Sequence, residues 1–188
     1  MKTSQLTFQG DKINLRKLRK ADAMDIYQNA KDKEIAQFTY VPHPYTLKDG
    51  EEYVRSTQKN IRKGKTYALG IELKSKKSIV GTIALMNVDM DNKNAEIGYW
   101  LGKPYWGGGI MKEAISLILE FGFETLGLER IYAKVFHPNI SSARLLERSG
   151  FSYEGTFRKS TLRGGKWMND MLYAILKEEF ERSSPFQQ

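Results

Sequence analysis

Apolar and polar residues alternate over several short stretches of the chain, and turn residues bound each stretch. Alternation with a period of two is typical of a β-strand that buries one of its faces. The three strands expected between residues 66 and 101 follow one another across short turns, which favours antiparallel pairing. In all, the pattern predicts strands at residues 12–19, 66–74, 77–88, 95–101, 130–136, 151–162 and 166–176.

Apolar residues recur at helical spacing in other segments, which predicts helices at 21–31, after Thr46, at 110–126 and at 141–149. Thr46-x-x-Asp49 is typical of a capping box at a helix start. Asn139 or Ser141 is suited to begin the fourth helix, and Gly150 to end it. Gly164-Gly165 predicts a hairpin turn between the last two strands.

Composition fits a single α/β domain over residues 1–188, with 183–188 as a frayed tail. Hydrophobic residues make up 40% of the chain, which argues against disorder. The absence of cysteine rules out disulfides, and with only two histidines no metal site is expected. The start lacks the apolar run of a signal peptide, and no stretch approaches the roughly 20 apolar residues of a membrane span. We therefore expect a cytoplasmic protein with no membrane partner.

The formal net charge is +8, from 30 Lys and Arg against 22 Asp and Glu. A nucleic-acid-binding surface is one interpretation. The other is a solvated surface whose field attracts an anionic cofactor. Because no nucleic-acid module is recognisable, direct nucleic-acid binding is not expected. An acidic acceptor partner is also compatible with this charge.

The segment from Glu96 to Ala114 combines a strand, a glycine turn and the start of a helix. Glu96, Gly98 and Trp100 are expected on one side of the strand, opposite Ile97, Tyr99 and Leu101. Three consecutive glycines allow a close approach of the backbone, and a helix N-terminus near Ile110 supplies free N–H groups. This arrangement suits a phosphate group.

Two nucleotide-binding fingerprints fit the glycine turn poorly. Lys112 stands where a dinucleotide fingerprint needs its third glycine, and Gly108 stands where a Walker-type loop needs lysine. Since loops with glycine are common, a plain strand-to-helix connection without a ligand remains open at this point.

Further motifs follow in a fixed order along nearly the whole chain: Glu96-Ile-Gly-Tyr-Trp100, Tyr105-Trp-Gly-Gly-Gly-Ile-Met-Lys-Glu-Ala114, Asn139-Ile-Ser-Ser142, Glu147-Arg-Ser-Gly-Phe151 and Asn169-Asp-Met-Leu-Tyr173. Together they resemble the GCN5-related N-acetyltransferase (GNAT) superfamily and, within it, the RimJ/RimL-like branch. The resemblance implies a mixed, mostly antiparallel sheet with helices on both faces. It also implies that the parallel strands 95–101 and 130–136 splay apart to admit a cofactor.

The resemblance implies acetyl-CoA as cofactor and a primary amine as acceptor. It implies that backbone near Trp100 and Leu101 holds the pantetheine arm and polarises the thioester carbonyl, and that Asn139 contacts the pantetheine. Backbone N–H groups of the turn are implied to hold the pyrophosphate, through Trp106, Gly107, Gly108, Gly109, Ile110 and Met111. Met111 departs from the family pattern, which has a small residue there, and its side chain is expected to crowd the turn.

Glu96 and Ser142 are the candidate catalytic residues. Glu96 is the candidate base for the amine, and the alternative is a strand carboxylate paired with Lys or Arg. Many members of the superfamily donate a proton to the thiolate from a tyrosine, but Leu146 occupies that position here. The resemblance to the RimJ/RimL branch implies Ser142 as the donor instead, whereas the alternative is a helix-start residue bonded to the backbone.

Of all the parts of the predicted reaction, the sequence determines the acceptor least. Acceptor specificity is expected in residues 38–45 and 158–170. His43 and His137 are expected in structural or turn roles, and Asp170 either orients an amine or pairs with Arg158 or Lys166. Three hypotheses remain: a protein N-terminal α-amine, for instance of a ribosomal protein; a polyamine, amino acid or aminoglycoside; or a non-catalytic acyl-CoA-binding module. Glu96 and Ser142 argue against the third. A monomer and a homodimer are both compatible with the sequence.

Overall fold

The computed structural model describes residues 6–183 and contains one eight-stranded sheet. Across the sheet the strands lie in the order β1-β2-β3-β4-β5-β6-β8-β7. Only β5 and β6 are parallel, which confirms the mixed, mostly antiparallel sheet. In chain order the strands are β1 (Thr7–Gln9), β2 (Ile13–Arg16), β3 (Tyr67–Leu73), β4 (Ser78–Asp89), β5 (Asn94–Leu101), β6 (Arg130–Phe136), β7 (Ser152–Arg163) and β8 (Lys166–Leu176).

In the described part of the chain, six α-helices accompany the sheet: α1 (Ala23–Ala30), α2 (Lys33–Phe38), α3 (Leu47–Arg62), α4 (Ile110–Glu120), α5 (Ile140–Glu147) and α6 (Lys177–Ser183). Thr46 and Asp49 form the expected capping box of α3, and Asn139 is the N-cap of α5. Of the helices in residues 6–183, none combines the length and apolar character needed to cross a bilayer.

Several predicted boundaries were wrong. The first strand stops at Arg16, and the pattern missed β1, α2 and α6 because each is too short to establish a periodicity. The α-helical part of α4 ends at Glu120, where a wider turn follows over Phe121–Thr125. Of the expected frayed tail, Ser183 is the last residue of α6, and residues 184–188 lie outside the described part.

Helices cover both faces of the sheet, as expected. One core cluster joins Ile118 of α4 to alternate residues of the central strands, including Ile97 of β5 and Ile131 of β6. A second cluster, on the other face, joins α1 and α3 through Ile26 and Val54 to Trp100 of β5. The period-two alternation of β5 therefore divides its side chains between two cores. Ile97 points to the first cluster and Trp100 to the second.

The parallel strands β5 and β6 pair over only three residues. Asn94, Ala95 and Glu96 lie opposite Arg130, Ile131 and Tyr132, and the pairing stops there. Beyond this point β5 stays paired with β4 as far as Leu101, and β6 stays paired with β8 as far as Phe136. The two strands therefore diverge, which confirms the predicted splay. We call the space between them the splay gap.

A buried ion-pair cluster joins β2, the turn before α1 and β3. The Arg16 guanidinium donates to both carboxylate oxygens of Asp22, at 2.7 and 2.9 Å, and to Glu72 at 2.7 Å. Burial raises the pKa of the Asp22 carboxyl, but hydrogen bonds from Arg16 and from the Arg19 N–H outweigh burial and leave the pKa below its ordinary value. The cluster fixes the turn from which α1 begins.

Candidate functional site

The glycine turn adopts a conformation that only glycine takes readily. Gly107 and Gly109 have φ values of 77° and 79°, in the left-handed region. Gly109 is the N-cap of α4, so the first N–H groups of that helix, at Ile110 and Met111, have no partner within the helix. A Cβ atom placed on Gly107 or Gly109 would meet nothing within 4 Å, so the space before the helix is open.

A lysine from a distant part of the chain reaches this turn. The Lys12 ammonium donates to the Gly108 carbonyl at 3.1 Å, which brings a cation from the β1–β2 connection to the glycines. The Glu113 carboxylate, in the first turn of α4, accepts the backbone N–H groups of Lys12 and Ile13 at 3.0 and 3.4 Å. A helix N-terminus, free N–H groups and a lysine together fit a pyrophosphate. Sequence reasoning missed Lys12 because only the fold brings it here.

Two of the residues expected around the cofactor are placed differently from the expectation. The Trp106 N–H donates to the Lys103 carbonyl at 3.2 Å, so it is not free for a phosphate, and its indole N–H donates to the Leu101 carbonyl at 2.6 Å. The Met111 side chain is buried in the first core cluster. The expected crowding of the turn by Met111 was therefore wrong, because this side chain points into the core.

Glu96 lies at the base of the splay gap, in the last residue pair that β5 and β6 share. Its carboxylate accepts from the Asn87 side-chain amide at 3.1 Å. Asn87 has a φ of 51°, at an irregularity in the pairing of β4 with β5. Asparagine tolerates this left-handed conformation better than most residues. Within residues 6–183, no lysine or arginine forms an ion pair with Glu96.

Ser142 faces the splay gap from the start of α5. Its backbone N–H donates to the Asn139 side chain at 3.1 Å, so the asparagine caps the helix. Its hydroxyl lies 2.9 Å from the hydroxyl of Tyr99, on the diverging part of β5. The Ser142 side chain is thus paired with a hydroxyl group rather than with the backbone. The alternation of β5 places Tyr99 on the face of α4, but the sequence carries no signal for this contact.

Tyr99 keeps its proton over the whole physiological range. Burial raises the pKa of its hydroxyl to about 12, although the hydrogen bond with Ser142 acts in the opposite direction. Leu146, where the resemblance places a tyrosine in many proteins, is fully buried in the first core cluster. The phenolic hydroxyl in this region therefore comes from Tyr99 on β5, because Leu146 on α5 has no hydroxyl group.

The two segments expected to determine the acceptor lie side by side. Residues 36–43 and 161–163 line a cleft of about 490 Å³. Arg163 joins them, because its guanidinium donates to the carbonyl groups of Ala36 and Thr39. It also stacks over Phe136, with 5.0 Å between the guanidinium carbon and the ring centre. Since Phe136 ends β6, the cleft adjoins the open end of the splay gap.

Asp170 takes neither of its expected salt-bridge partners among the described residues. It is 4% exposed, and one carboxylate oxygen accepts from the hydroxyls of Ser160 and Thr161, each at 2.7 Å. The pairing expected with Arg158 or Lys166 was therefore wrong. The two histidines are both exposed; His43 lines the cleft and His137 follows β6 in a turn.

Comparisons with known proteins show which proteins this chain is similar to. The family model described as the acetyltransferase (GNAT) domain matches residues 12–152. The "Probable N-acetyltransferase YjcK" of Bacillus subtilis is 34% identical over 73% of this chain and 77% of its own length. The "[Ribosomal protein uS5]-alanine N-acetyltransferase" of Escherichia coli is 30% identical over 61% of this chain and 59% of its own.

The fold is also similar to that of a solved protein. The microcin C7 self immunity acetyltransferase MccE, solved in complex with acetyl-CoA and AMP, is 24% identical to this chain. The two superpose with a TM-score of 0.81 over 89% of this chain and 93% of the other.

Proposed function

We propose that this chain, which belongs to the GNAT family of acetyltransferases, transfers the acetyl group of acetyl-CoA to the α-amine of a protein N-terminus. Acetyl-CoA is the co-substrate and supplies the acetyl group as a thioester. One observation carries the proposal: the splay gap lies between a glycine turn with free N–H groups, a carboxylate and a hydroxyl pair, and it adjoins a cleft of about 490 Å³.

The glycine turn holds the pyrophosphate of the co-substrate in this proposal. The N–H groups of residues 107–111 and the Lys12 ammonium are its donors, since the Trp106 N–H is already bonded. The diverging edge of β5, around Trp100 and Leu101, holds the pantetheine arm, with Asn139 on the other side of the gap. Relative to the positions that the resemblance implied, Lys12 is added and the Trp106 N–H is left out.

Glu96 accepts the proton of the acceptor amine in this proposal, directly or through a water molecule. An amine attacks only in its neutral form, and the pKa of an α-amine is about 7.7–8.0, against about 10.4 for a lysine side chain. At neutral pH, therefore, a much larger share of an α-amine than of a lysine amine is already neutral, so the base has less to do. The hydrogen bond from Asn87 holds the Glu96 carboxylate in place.

As the C–N bond forms and the C–S bond breaks, the hydroxyl of Ser142 gives its proton to the departing thiolate in this proposal. Glu96 then releases the amine proton to solvent, and the Ser142 oxygen is reprotonated from solvent. If Tyr99 donates its proton to the Ser142 oxygen, the Ser142 proton is free to point into the splay gap. Because the pKa of Tyr99 is raised to about 12, its hydroxyl remains a donor at every pH at which the protein works. Tyr99 is thus a positioning residue that acts through Ser142.

A protein N-terminus is favoured as acceptor by the shape of the cleft beside the gap. The cleft is bounded by two chain segments, and Tyr40 in its lining is 79% exposed. A peptide has room to extend from the gap along this cleft, whereas a small amine leaves most of it empty. The relative from Escherichia coli is named for acetylation of a ribosomal-protein alanine, which is the same acceptor class.

Calorimetric titration followed by an acceptor screen tests the proposal. We expect acetyl-CoA to bind selectively over NAD and ATP. With acetyl-CoA present, peptides with free Ser or Ala N-termini should gain one acetyl group on the α-amine, located by tandem mass spectrometry. Preferential acetylation of spermidine or an aminoglycoside would replace the acceptor class. Binding of acetyl-CoA without turnover of any amine would instead indicate a non-catalytic module.

A further inference from the structure

We infer that the cleft between residues 36–43 and 161–163, here called the acceptor cleft, binds an acidic N-terminal segment and excludes polycationic acceptors. The inference rests on the proposed function and adds a charge class to its acceptor. It is carried by the charges that line and surround the cleft, which the fold assembles from α2, the segment after it and the β7–β8 hairpin.

The lining of the acceptor cleft carries positive charge only. Lys33 and Arg163 line it, and no carboxylate of residues 6–183 does. Arg163 uses its guanidinium on two backbone carbonyls and the Phe136 ring, none of which carries a formal charge. Its positive charge is therefore not neutralised by a partner. The lining also holds the polar side chains of Gln37, Tyr40 and His43.

The carboxylates nearest in sequence to the lining residues are each bonded to another group. Asp32 accepts the Glu34 N–H at 2.9 Å and so caps α2. Glu34 forms an ion pair with Lys103, which follows β5. Asp170 is buried and bonded to the hydroxyls of Ser160 and Thr161. None of the three stands in the lining to offset Lys33 and Arg163.

The hairpin adds further cations. Between residues 155 and 176 the chain carries Arg158, Lys159, Arg163 and Lys166 against the single buried carboxylate of Asp170. Lys166 lies directly opposite Arg163 in the β7–β8 pairing, and opposite residues project to the same face. In the described part of the chain, Lys33 and Lys166 are both exposed and neither forms an ion pair.

This charge distribution acts on an acceptor in two ways. Acidic side chains just after the N-terminal residue are attracted to Lys33 and Lys166. A polyamine carries several positive charges and is repelled, which separates the two acceptor classes that the sequence left open.

The position of the cleft decides which part of the acceptor it contacts. Arg163 and Tyr40 both pack on Phe136, Tyr40 edge-on with 5.4 Å between ring centres. Phe136 lies at the open end of the splay gap. A peptide whose amine enters the gap past Phe136 therefore places its second to fourth residues in the cleft, at about 3.3–3.6 Å of chain per residue. Acidic side chains at the second to fourth residues of the peptide should therefore raise its affinity for the cleft.

Two peptides of equal length test the inference, Ser-Glu-Asp-Glu-Ala-Tyr and Ser-Arg-Arg-Arg-Ala-Tyr, each amidated at its C-terminus. Affinity for fluorescently labelled peptides is measured by anisotropy without acetyl-CoA, and kcat/KM with it. At low salt we expect the parent to prefer the acidic peptide about tenfold in both measurements, as two or three exposed charge contacts imply. At ~1 M salt, where the Debye length falls to about 3 Å, the preference should shrink towards parity.

Lys33→Glu combined with Lys166→Glu should remove or reverse the preference. Lys59→Glu with Lys63→Glu is the matched control, since both lysines lie at the end of α3 outside the cleft and the net charge changes equally. Equal affinity and kcat/KM for both peptides in the parent, or the same loss in the control, would overturn the inference while leaving α-amine acetylation standing. If neither peptide nor a neutral Ser-Ala-Ala-Ala-Ala-Tyr peptide were acetylated, the proposed function itself would fail.

Discussion

The hydroxyl oxygens of Tyr99 and Ser142 lie 2.9 Å apart across the splay gap. One hydroxyl comes from the diverging part of β5, and the other from the first turn of the helix that follows β6. The contact therefore joins the two sides of the gap in which the thioester is proposed to lie. It makes Ser142 dependent on a residue 43 positions away in the chain.

Removing the Tyr99 hydroxyl should slow turnover without weakening the binding of acetyl-CoA. For Tyr99→Phe we expect kcat to fall about tenfold. This is less than the ~100-fold or larger rate contribution that is typical of proton transfer by a positioned side chain, because Tyr99 acts only through Ser142. The Kd for acetyl-CoA, measured by calorimetry, should stay within a factor of two. Ser142→Ala should lower kcat at least as much, and the double variant no further, because the two groups act as one unit.

The pH dependence separates this role of Tyr99 from a titrating one. Since its pKa is raised to about 12, the parent should show no loss of kcat through Tyr99 ionisation below pH 10. Additive effects of the two substitutions, or unchanged kcat in Tyr99→Phe, would contradict the coupling of Tyr99 to Ser142.

Glu96→Gln should lower kcat/KM more at pH 6.5 than at pH 9. The amide keeps a similar shape and can still contact Asn87, but it cannot accept a proton. At high pH more of the α-amine is already neutral, so the missing base matters less. Initial rates across pH 6–9.5 check this, and Asn87→Ala should give a smaller loss with the parent's profile. A pH profile of Glu96→Gln identical to that of the parent would remove Glu96 as the base.

Gly109→Asp should abolish measurable binding of acetyl-CoA, because its carboxylate would face the pyrophosphate. Gly109→Asn is the matched control, with the same shape and without the charge. Both residues enter the left-handed region more readily than most, and a side chain there starts in open space, so both variants should fold. We expect the Asn variant to bind within about tenfold of the parent by calorimetry. Equal affinity of the Asp variant and the parent would refute the phosphate assignment of this turn.

The buried cluster of Arg16, Asp22 and Glu72 should make the protein sensitive to acid. Folding lowers the pKa of both carboxyls, so the cluster stabilises the fold fully above their ordinary values of about 4. That contribution is lost as the pH falls through the lower pKa values of the folded state. The free energy of unfolding, measured with urea, should therefore decrease steeply from pH 4 to pH 3.

Asp22→Asn should reduce both the stability and its acid sensitivity. At pH 7 we expect a loss of about 3 kcal/mol, because Arg16 keeps only Glu72 as a charged partner. Below pH 4 the slope against pH should be shallower than in the parent. Glu178→Gln, which removes an exposed pair with Arg182, should change neither quantity. A variant as stable as the parent at pH 7 would show that the cluster contributes nothing net.

Much of the fold follows from local pattern. The alternation in β3, β4 and β5 predicted three paired strands, and Gly164-Gly165 predicted the turn of the last hairpin, where both glycines have positive φ. The missed elements β1, α2 and α6 hold three to seven residues each, too few for a periodic signal. Met111 was misjudged because a motif position does not say whether a side chain points to the turn or to the core.

Motifs placed the glycine turn, Glu96 and Ser142 in the candidate site, because backbone conformation and helix capping depend on residues within a few positions of one another. The sequence by itself thus determined the family, the strand pattern and the turn that suits a phosphate. Only the tertiary structure decided the partners: Lys12 at the glycines, Tyr99 on Ser142, and Arg163 between the two halves of the acceptor cleft. These contacts span 43 to 127 residues. No local preference encodes them, since they arise when strands far apart in the chain pair and helices pack on the resulting sheet.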